Sequence, residues 1–186
     1  LVTGVQTCAL PIYQMGEIMK TYQTLEYVSK LNKSLLLLSK IDNHQFSESK
    51  DVCLNEVLHR YVNDYQEVYS YRDIRLEVEE QGELHWKMNE TLAVVLVKKK
   101  KKNAFVHNID KGSIRIIISS KGIRFGNTGT GESLDALRIF ERFYQGSKKK
   151  EGSTGLGLAI VDAVCRHSSL QICYRFEENM HWFELE

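Results

Sequence analysis

The chain has 186 residues, of which 42% are hydrophobic and 26% charged, enough apolar material for one full globular core with an appended helix. Lys plus Arg number 25 against 24 Asp plus Glu, and the resulting net charge of +1 gives no electrostatic reason to expect a nucleic-acid partner. No apolar run is long enough to cross a bilayer. The four cysteines, at positions 8, 53, 165 and 173, form no CxxC pair, so free thiols in a reducing compartment are expected rather than zinc or disulfides.

The first twelve residues, LVTGVQTCALPI, hold the only proline and resemble a translated sequencing-adapter tract. Residues 1–12 are therefore set apart from the fold. From Met15 to His44, Ile18, Leu25, Val28, Leu31, Leu35, Leu38 and Ile41 recur at spacings of three, four and seven, which predicts one long helix. Its near-heptad stripe favours pairing with another helix over a place on a sheet. Ser47 to Asp51 is a polar break, and Val52 to Tyr71 carries a second helical pattern. Ile74 to Glu79 alternates apolar and charged residues, as a half-buried strand does, and Leu84 to Trp86 suits another. Asn89 to Asn108 predicts a helix capped by Asn89. Ser113–Ser119 and Ile123–Phe125 read as a hairpin around Gly122, Ser133–Phe140 as a short helix, and Thr154–His167 as a helix with a glycine-rich entry. Leu170–Phe176 and His181–Leu185 close the chain as strands. This order points to an α+β sandwich, with helices covering one face of a mostly antiparallel sheet.

The chemistry concentrates in four segments. Ser153 to Ile160, STGLGLAI, opens an apolar helix with two glycines, which let the backbone approach a ligand while the first free N–H groups point at an anion. Upstream, Asn127-Thr128-Gly129-Thr130-Gly131 follows a strand; an amide there can hydrogen-bond the exocyclic amine of adenine, and the glycines leave room for the ring. Between them, Ile139-Phe140-Glu141-Arg142-Phe143-Tyr144 reads either as an aromatic core segment or as the support of a guanidinium that reaches phosphate. Earlier, Asn103-Ala104-Phe105-Val106-His107-Asn108 ends a helix with amide and imidazole groups, and Asn103 offers the kind of oxygen Mg²⁺ accepts beside waters and phosphates.

Taken in order, NAFVHN, NTGTG, IFERFYQ and STGLGLAI resemble the nucleotide-binding boxes of the sensor histidine kinases of two-component systems. LNKSLLLLSKIDNHQF is similar to the second helix of that family's dimerisation hairpin. The resemblance implies a two-layer α/β sandwich of the histidine kinase/Hsp90-like ATPase type over residues 52–186, preceded by a partial dimerisation helix at 13–46. It implies Mg-ATP bound between a central helix and a lid, with Asn103 on Mg²⁺ and Asn127 reading adenine. Gly129 and Gly131 would line the adenine pocket, Thr154, Gly155, Leu156 and Gly157 would approach the phosphates, and His107 and Arg142 would stand on the phosphate side. It further implies phosphoryl transfer to a histidine, a response regulator as partner, a homodimer through the hairpin, and a full-length protein held in the cytoplasmic membrane by upstream segments.

Three departures qualify these expectations. None of the six histidines, at 44, 59, 85, 107, 167 and 181, has the acceptor's context, so that residue is expected on a helix upstream of Met15. Asn127 stands where most members carry aspartate. The run Lys98–Lys102 occupies positions of a second asparagine, at Lys99, and of two core leucines; five consecutive lysines in a helix cannot all face water, and an unpaired buried ammonium is costly. That run and Lys148–Lys150, like the first twelve residues, are read as tracts foreign to the fold rather than as basic patches. The alternative from another class is a catalytically degenerate nucleotide-binding and dimerisation scaffold. The related chaperone and topoisomerase ATPases would place a glutamate base near Lys99, where none exists.

Overall fold

A computed structural model describes residues 3–61, 68–146 and 152–186, with the side chains of residues 3–13 left out of the description. The chain opens with α1 (Thr3–Asp42), which also takes in most of the tract that the sequence set apart. The apolar stripe of α1 divides into two parts. Leu38 and Ile41 are buried against the rest of the chain beside Ser34, with Leu31 and Leu37 packed at the edge of the core. Met15, Ile18 and Leu25 are each 64% exposed. At its C-terminal end α1 thus packs inside the chain, on the helix Gly157–His167, and the N-terminal part of the stripe is bare. The described residues contain no helix long and apolar enough to cross a membrane.

Two strands follow around a short helix. β1 (Lys50–Cys53) pairs antiparallel with β3 (His85–Met88), setting Val52 opposite Trp86. α2 (Leu54–Tyr61) buries Leu54, Val57 and Leu58. The expected helix from Val52 to Tyr71 is thus corrected at its start: Val52, β-branched and 6% exposed, spends its side chain in a cross-strand pair. Residues 62–67 of that expected helix lie outside the described residues, and Ser70–Arg72 forms a single 3₁₀ turn. Buried Asn55 locks this corner, donating to Glu80 Oε2 at 2.7 Å and accepting from the Leu84 N–H at 3.0 Å.

The main sheet has five strands: β2 (Arg75–Glu80), β4 (Ser113–Ser119), β5 (Gly122–Thr128), β6 (Ile172–Glu177) and β7 (Met180–Leu185), in the order β2-β4-β5-β7-β6. Only β2 and β4 run parallel. β4 shows the period of two expected of a half-buried strand, with Ile114, Ile116 and Ile118 fully buried. Ile74, just before β2, and Leu76 on it pack on the core as expected, but Val78, on this edge strand, is 37% exposed. Glu178 and Asn179, with φ of 52° and 60°, close β6 and β7 in a two-residue turn of the handedness that hairpins prefer.

Two helices cover one face of this sheet. α3 (Glu90–Val106) starts as expected at Asn89, whose side chain accepts from the N–H groups of Thr91 and Leu92. It buries Leu92, Ala93, Leu96, Val97, Ala104 and Phe105, and with them Lys100 and Lys101. α4 (Gly157–His167) buries Ile160, Val161 and Val164 and packs against both α1 and α3. The short helix expected at Ser133–Phe140 is absent. Asp135 organises a single turn there, its carbonyl accepting from the N–H groups of Arg138 and Ile139 and its carboxylate from that of Leu137. The Leu134 amide donates to the Tyr174 hydroxyl.

Candidate nucleotide site

Hydrogen bonds bring the four sequence segments together in pairs on the helix-covered face. The first pair joins the end of α3 to the end of β5. Asn108, 3% exposed, accepts from the Ile109 N–H at 2.9 Å and donates to the Ser113 carbonyl at 3.1 Å. Its Oδ1 also receives the Thr128 hydroxyl, while Thr128 Oγ1 accepts from the Ser113 N–H at 2.8 Å. Gly112 is required beside them, since a Cβ there would lie 2.1 Å from Asn108 Oδ1. Arg72 binds the other side, donating to the carbonyls of Phe105 and Asn108 and pairing with Asp110 at 2.7 Å. Asn103 and His107 are thereby close in the chain to Asn108, the amide that binds Thr128 of the NTG segment.

The second pair joins the IFERFYQ and STGLGLAI segments. The Phe143 N–H donates to the Gly155 carbonyl at 3.0 Å, and Gln145 Nε2 donates to the Ser153 carbonyl at 2.7 Å. Gly155 has φ of +66°, and a Cβ on it would lie 2.6 Å from the Phe143 carbonyl carbon, so glycine is needed for backbone packing as well as for conformation. The two halves meet through Phe183 on β7: Lys100 of α3 places its ammonium 3.0 Å from the ring centroid, and Phe140 meets the same ring edge to face at 6.5 Å.

Each expected site residue has a definite place. Asn127 is 5% exposed on β5, level with His181 on β7. Its amide donates to the Thr128 carbonyl at 2.9 Å, which leaves the side-chain oxygen as an acceptor. Gly129 abuts the His181 ring, with Nε2 2.3 Å from the position a Cβ would take. Gly131, at φ +78°, has open space around it. Thr154 is half-buried. Leu156 is fully buried, so only its backbone is left to serve a ligand. It precedes α4 without a side-chain cap, and Gly157 also faces open space, so the first N–H groups of α4 are unencumbered by a cap. Asn103 is half-buried and His107 exposed; with Lys99 they follow at four-residue intervals along one edge of α3.

Arg142 departs from its expected surroundings. Its Nη2 lies 2.6 Å from Asp42 Oδ2 at the end of α1, so the guanidinium is committed to a carboxylate a hundred residues away in sequence. A cleft of about 260 Å³ lined by His44, Phe46, Lys87, Asn89 and His167 lies beyond the end of α1, away from the four segments.

The electrostatics of the site are dominated by lysines. Burial pushes the Lys100 pKa well below the ordinary lysine value, and burial followed by the charge of Lys102 lowers that of Lys99. Burial, and then Lys100, lowers His181. Sequence reasoning missed Asn108, Thr128, Tyr174 and His181. The first two stood inside quoted motifs, whereas nothing in the local pattern signalled the last two. No cluster of three or more His, Cys, Asp or Glu suited to a metal occurs among the described residues.

Residues 90–181 match the family model of the histidine kinase-, DNA gyrase B- and HSP90-like ATPases. The chain is similar to the heme sensor protein HssS of Staphylococcus saprophyticus, at 29% identity over 153 residues covering 79% of this chain and 33% of that protein. It is similar also to the sensor histidine kinase RppB of Synechocystis sp., at 31% identity over 147 residues covering 74% of this chain and 32% of that one. It thus spans about a third of the length of these relatives. Among solved structures, histidine kinase ThkA in complex with the response regulator protein TrrA superimposes with a TM-score of 0.63 at 17% identity, covering 99% of this chain and 61% of that one.

Fold and match together define an ATPase domain of the histidine kinase, gyrase B and HSP90 type. Within that class the chain belongs to the sensor histidine kinases, of which it carries the ATP-binding catalytic domain.

Proposed function

We propose that this chain binds Mg-ATP and directs its terminal phosphoryl group to a histidine, for relay to a response regulator. The observation that carries the reading is the pairwise pinning of four nucleotide-binding segments on one face of the sheet, through Asn108 and Thr128 on one side and Phe143 and Gly155 on the other. ATP supplies the phosphoryl group and Mg²⁺ the neutralising charge. The part of the chain is to hold and orient. Asn127 presents an amide oxygen to the adenine amine, and Gly129 and Gly131 leave space for the ring. The N–H groups at the start of α4, with Thr154, Gly155, Leu156 and Gly157 contributing backbone, face the phosphates. Asn103 offers the metal one oxygen. His107 and, once released from Asp42, Arg142 stand on the phosphate side.

The acceptor is a histidine outside these 186 residues, since none of the six present has an acceptor's context. Residues 13–46 serve as one helix of the dimerisation hairpin, and the exposed Met15, Ile18, Tyr22 and Leu25 are the surface through which a second copy pairs. Residues 52–186, with Lys50 and Asp51 of β1, make up the catalytic domain, and the first twelve remain a tract foreign to it. The full-length protein is anchored in the cytoplasmic membrane by other segments.

Binding of a fluorescent ATP analogue with Mg²⁺, followed by addition of a separate hairpin fragment bearing the acceptor histidine, tests the reading. Binding with transfer supports it, and binding without transfer favours the degenerate-scaffold alternative. A folded sample that binds no nucleotide refutes both.

A further inference from the structure

Two side chains outside all four motifs converge on the adenine-side segment. His181 on β7 stands level with Asn127, and the Nε2 edge of its ring fills the space a Cβ on Gly129 would need. Its Nδ1 lies 2.9 Å from the hydroxyl of Tyr174 on β6. The same hydroxyl accepts the Leu134 N–H at 2.9 Å. The segment between Gly129 and Leu134 is thus held at both ends, by an imidazole edge and by a phenol.

The proton count of this relay is self-consistent. A phenol has one proton and can accept from Leu134 while donating to Nδ1. That leaves His181 neutral, with its proton on Nε2 toward Gly129. Burial and the nearby Lys100 both disfavour the charged ring. Aromatic neighbours fix the geometry: Phe176 lies 4.9 Å from the His181 ring and Phe183 lies 5.2 Å from that of Tyr174, centroid to centroid. The hairpin register sets Phe176 opposite His181 and Tyr174 opposite Phe183, so all four rings share the face that carries Asn127.

We infer that Tyr174 and His181 are paired positioning residues that hold the Gly129–Leu134 segment in the conformation that admits adenine. The inference rests on the proposed adenine role of Asn127 and Gly129. A packing role alone would need the two rings but not the hydroxyl, and this difference makes the pair testable.

The experiment uses the full chain and the variants Tyr174→Phe, His181→Phe, their double and Asn127→Ala. Hydrogen exchange at the Leu134 amide is read without nucleotide, and binding of a fluorescent ATP analogue and of inorganic tripolyphosphate is titrated separately. Loss of one hydrogen bond in Tyr174→Phe should speed Leu134 exchange about tenfold and weaken the ATP analogue by a similar factor. Tripolyphosphate affinity should not change, and the double variant should lose little more than either single one. Parent-like exchange at Leu134 overturns the tie. Faster exchange with unaltered ATP affinity, or equal losses for ATP and tripolyphosphate, overturns the adenine-positioning role. Equal ATP binding by the parent and Asn127→Ala identifies failure of the adenine reading itself, and this inference falls with it.

Discussion

Lys100 is the residue whose replacement should most improve the fold. It is 1% exposed, on the face of α3 that looks into the core, with its ammonium against the Phe183 ring. Its aliphatic stem is already buried, so a leucine in its place gains little apolar area. What Lys100→Leu removes is the cost of holding the amine out of water, several kcal/mol for a buried ion after relaxation. Loss of the amine's contact with the Phe183 ring offsets part of this. The net expectation is stabilisation by about 2 kcal/mol, or a rise in Tm of about 4–8 °C for a chain of this size. The pH dependence supplies a sign. The folded pKa lies below the value of 10.5 for the free side chain, so between the two the unfolded chain holds a proton that the native state lacks, and parent stability climbs with pH. Cys165, whose thiol burial pushes up to about 12, acts oppositely above pH 9 and interacts with Lys100, so the comparison is made below that pH. Calorimetry of parent and variant at rising pH below 9 should therefore show a gap that narrows as pH rises. Equal melting at pH 7, or a gap that widens with pH, would refute the reasoning.

Lys99→Asn removes a cation one turn before Asn103 and returns an amide; Mg²⁺ should then tighten ATP-analogue binding more than it does in the parent, and equal responses to EDTA would count against Asn103 as the metal's oxygen. Gly155→Ala sets a Cβ against the Phe143 backbone at positive φ, and about 1–3 kcal/mol of local strain should appear as faster proteolysis between 143 and 157; cleavage at the parent rate would show that the contact relaxes freely. Asp42→Asn breaks a half-exposed ion pair worth about 0–1 kcal/mol, so Tm should shift by no more than about 4 °C while nucleotide affinity rises severalfold as Arg142 is freed. Unchanged affinity would remove Arg142 from the phosphate side.

Much of the architecture follows from period alone. The Ile114, Ile116, Ile118 alternation defined β4, and the Asn89 cap and apolar spacing defined α3 within two residues of each end. The errors fall where long-range partners decide. Val52 carries a helix-compatible apolar pattern, yet it is a strand residue because Trp86 faces it across a pairing over thirty residues away in sequence. Ser133–Phe140 has the composition of a short helix, but it closes only one turn at Asp135, with its start tied to Tyr174 on β6. The α1 stripe is continuous in sequence, and only the position of α4 determines that Leu38 is buried while Leu25 is bare.

The site was legible in proportion to how much of it is backbone. Gly129 and Gly155 are glycines because a ring or a main chain passes where a Cβ would be, and a spaced-glycine motif records that constraint locally. Arg142 shows the opposite case. Its place in the motif suggested phosphate, but a guanidinium goes to the nearest carboxylate with suitable geometry, and Asp42 reaches it because α1 ends beside the segment that carries Phe143. Since Phe143 also bonds Gly155, displacement of α1 bears on Arg142 and on the glycine entry to α4 at adjacent residues. The end of α1 and the loop that enters α4 are therefore one mechanical unit. The same guanidinium cannot serve Asp42 and a phosphate together, so if Arg142 turns to a phosphate, nucleotide binding and release of the helix end must favour each other.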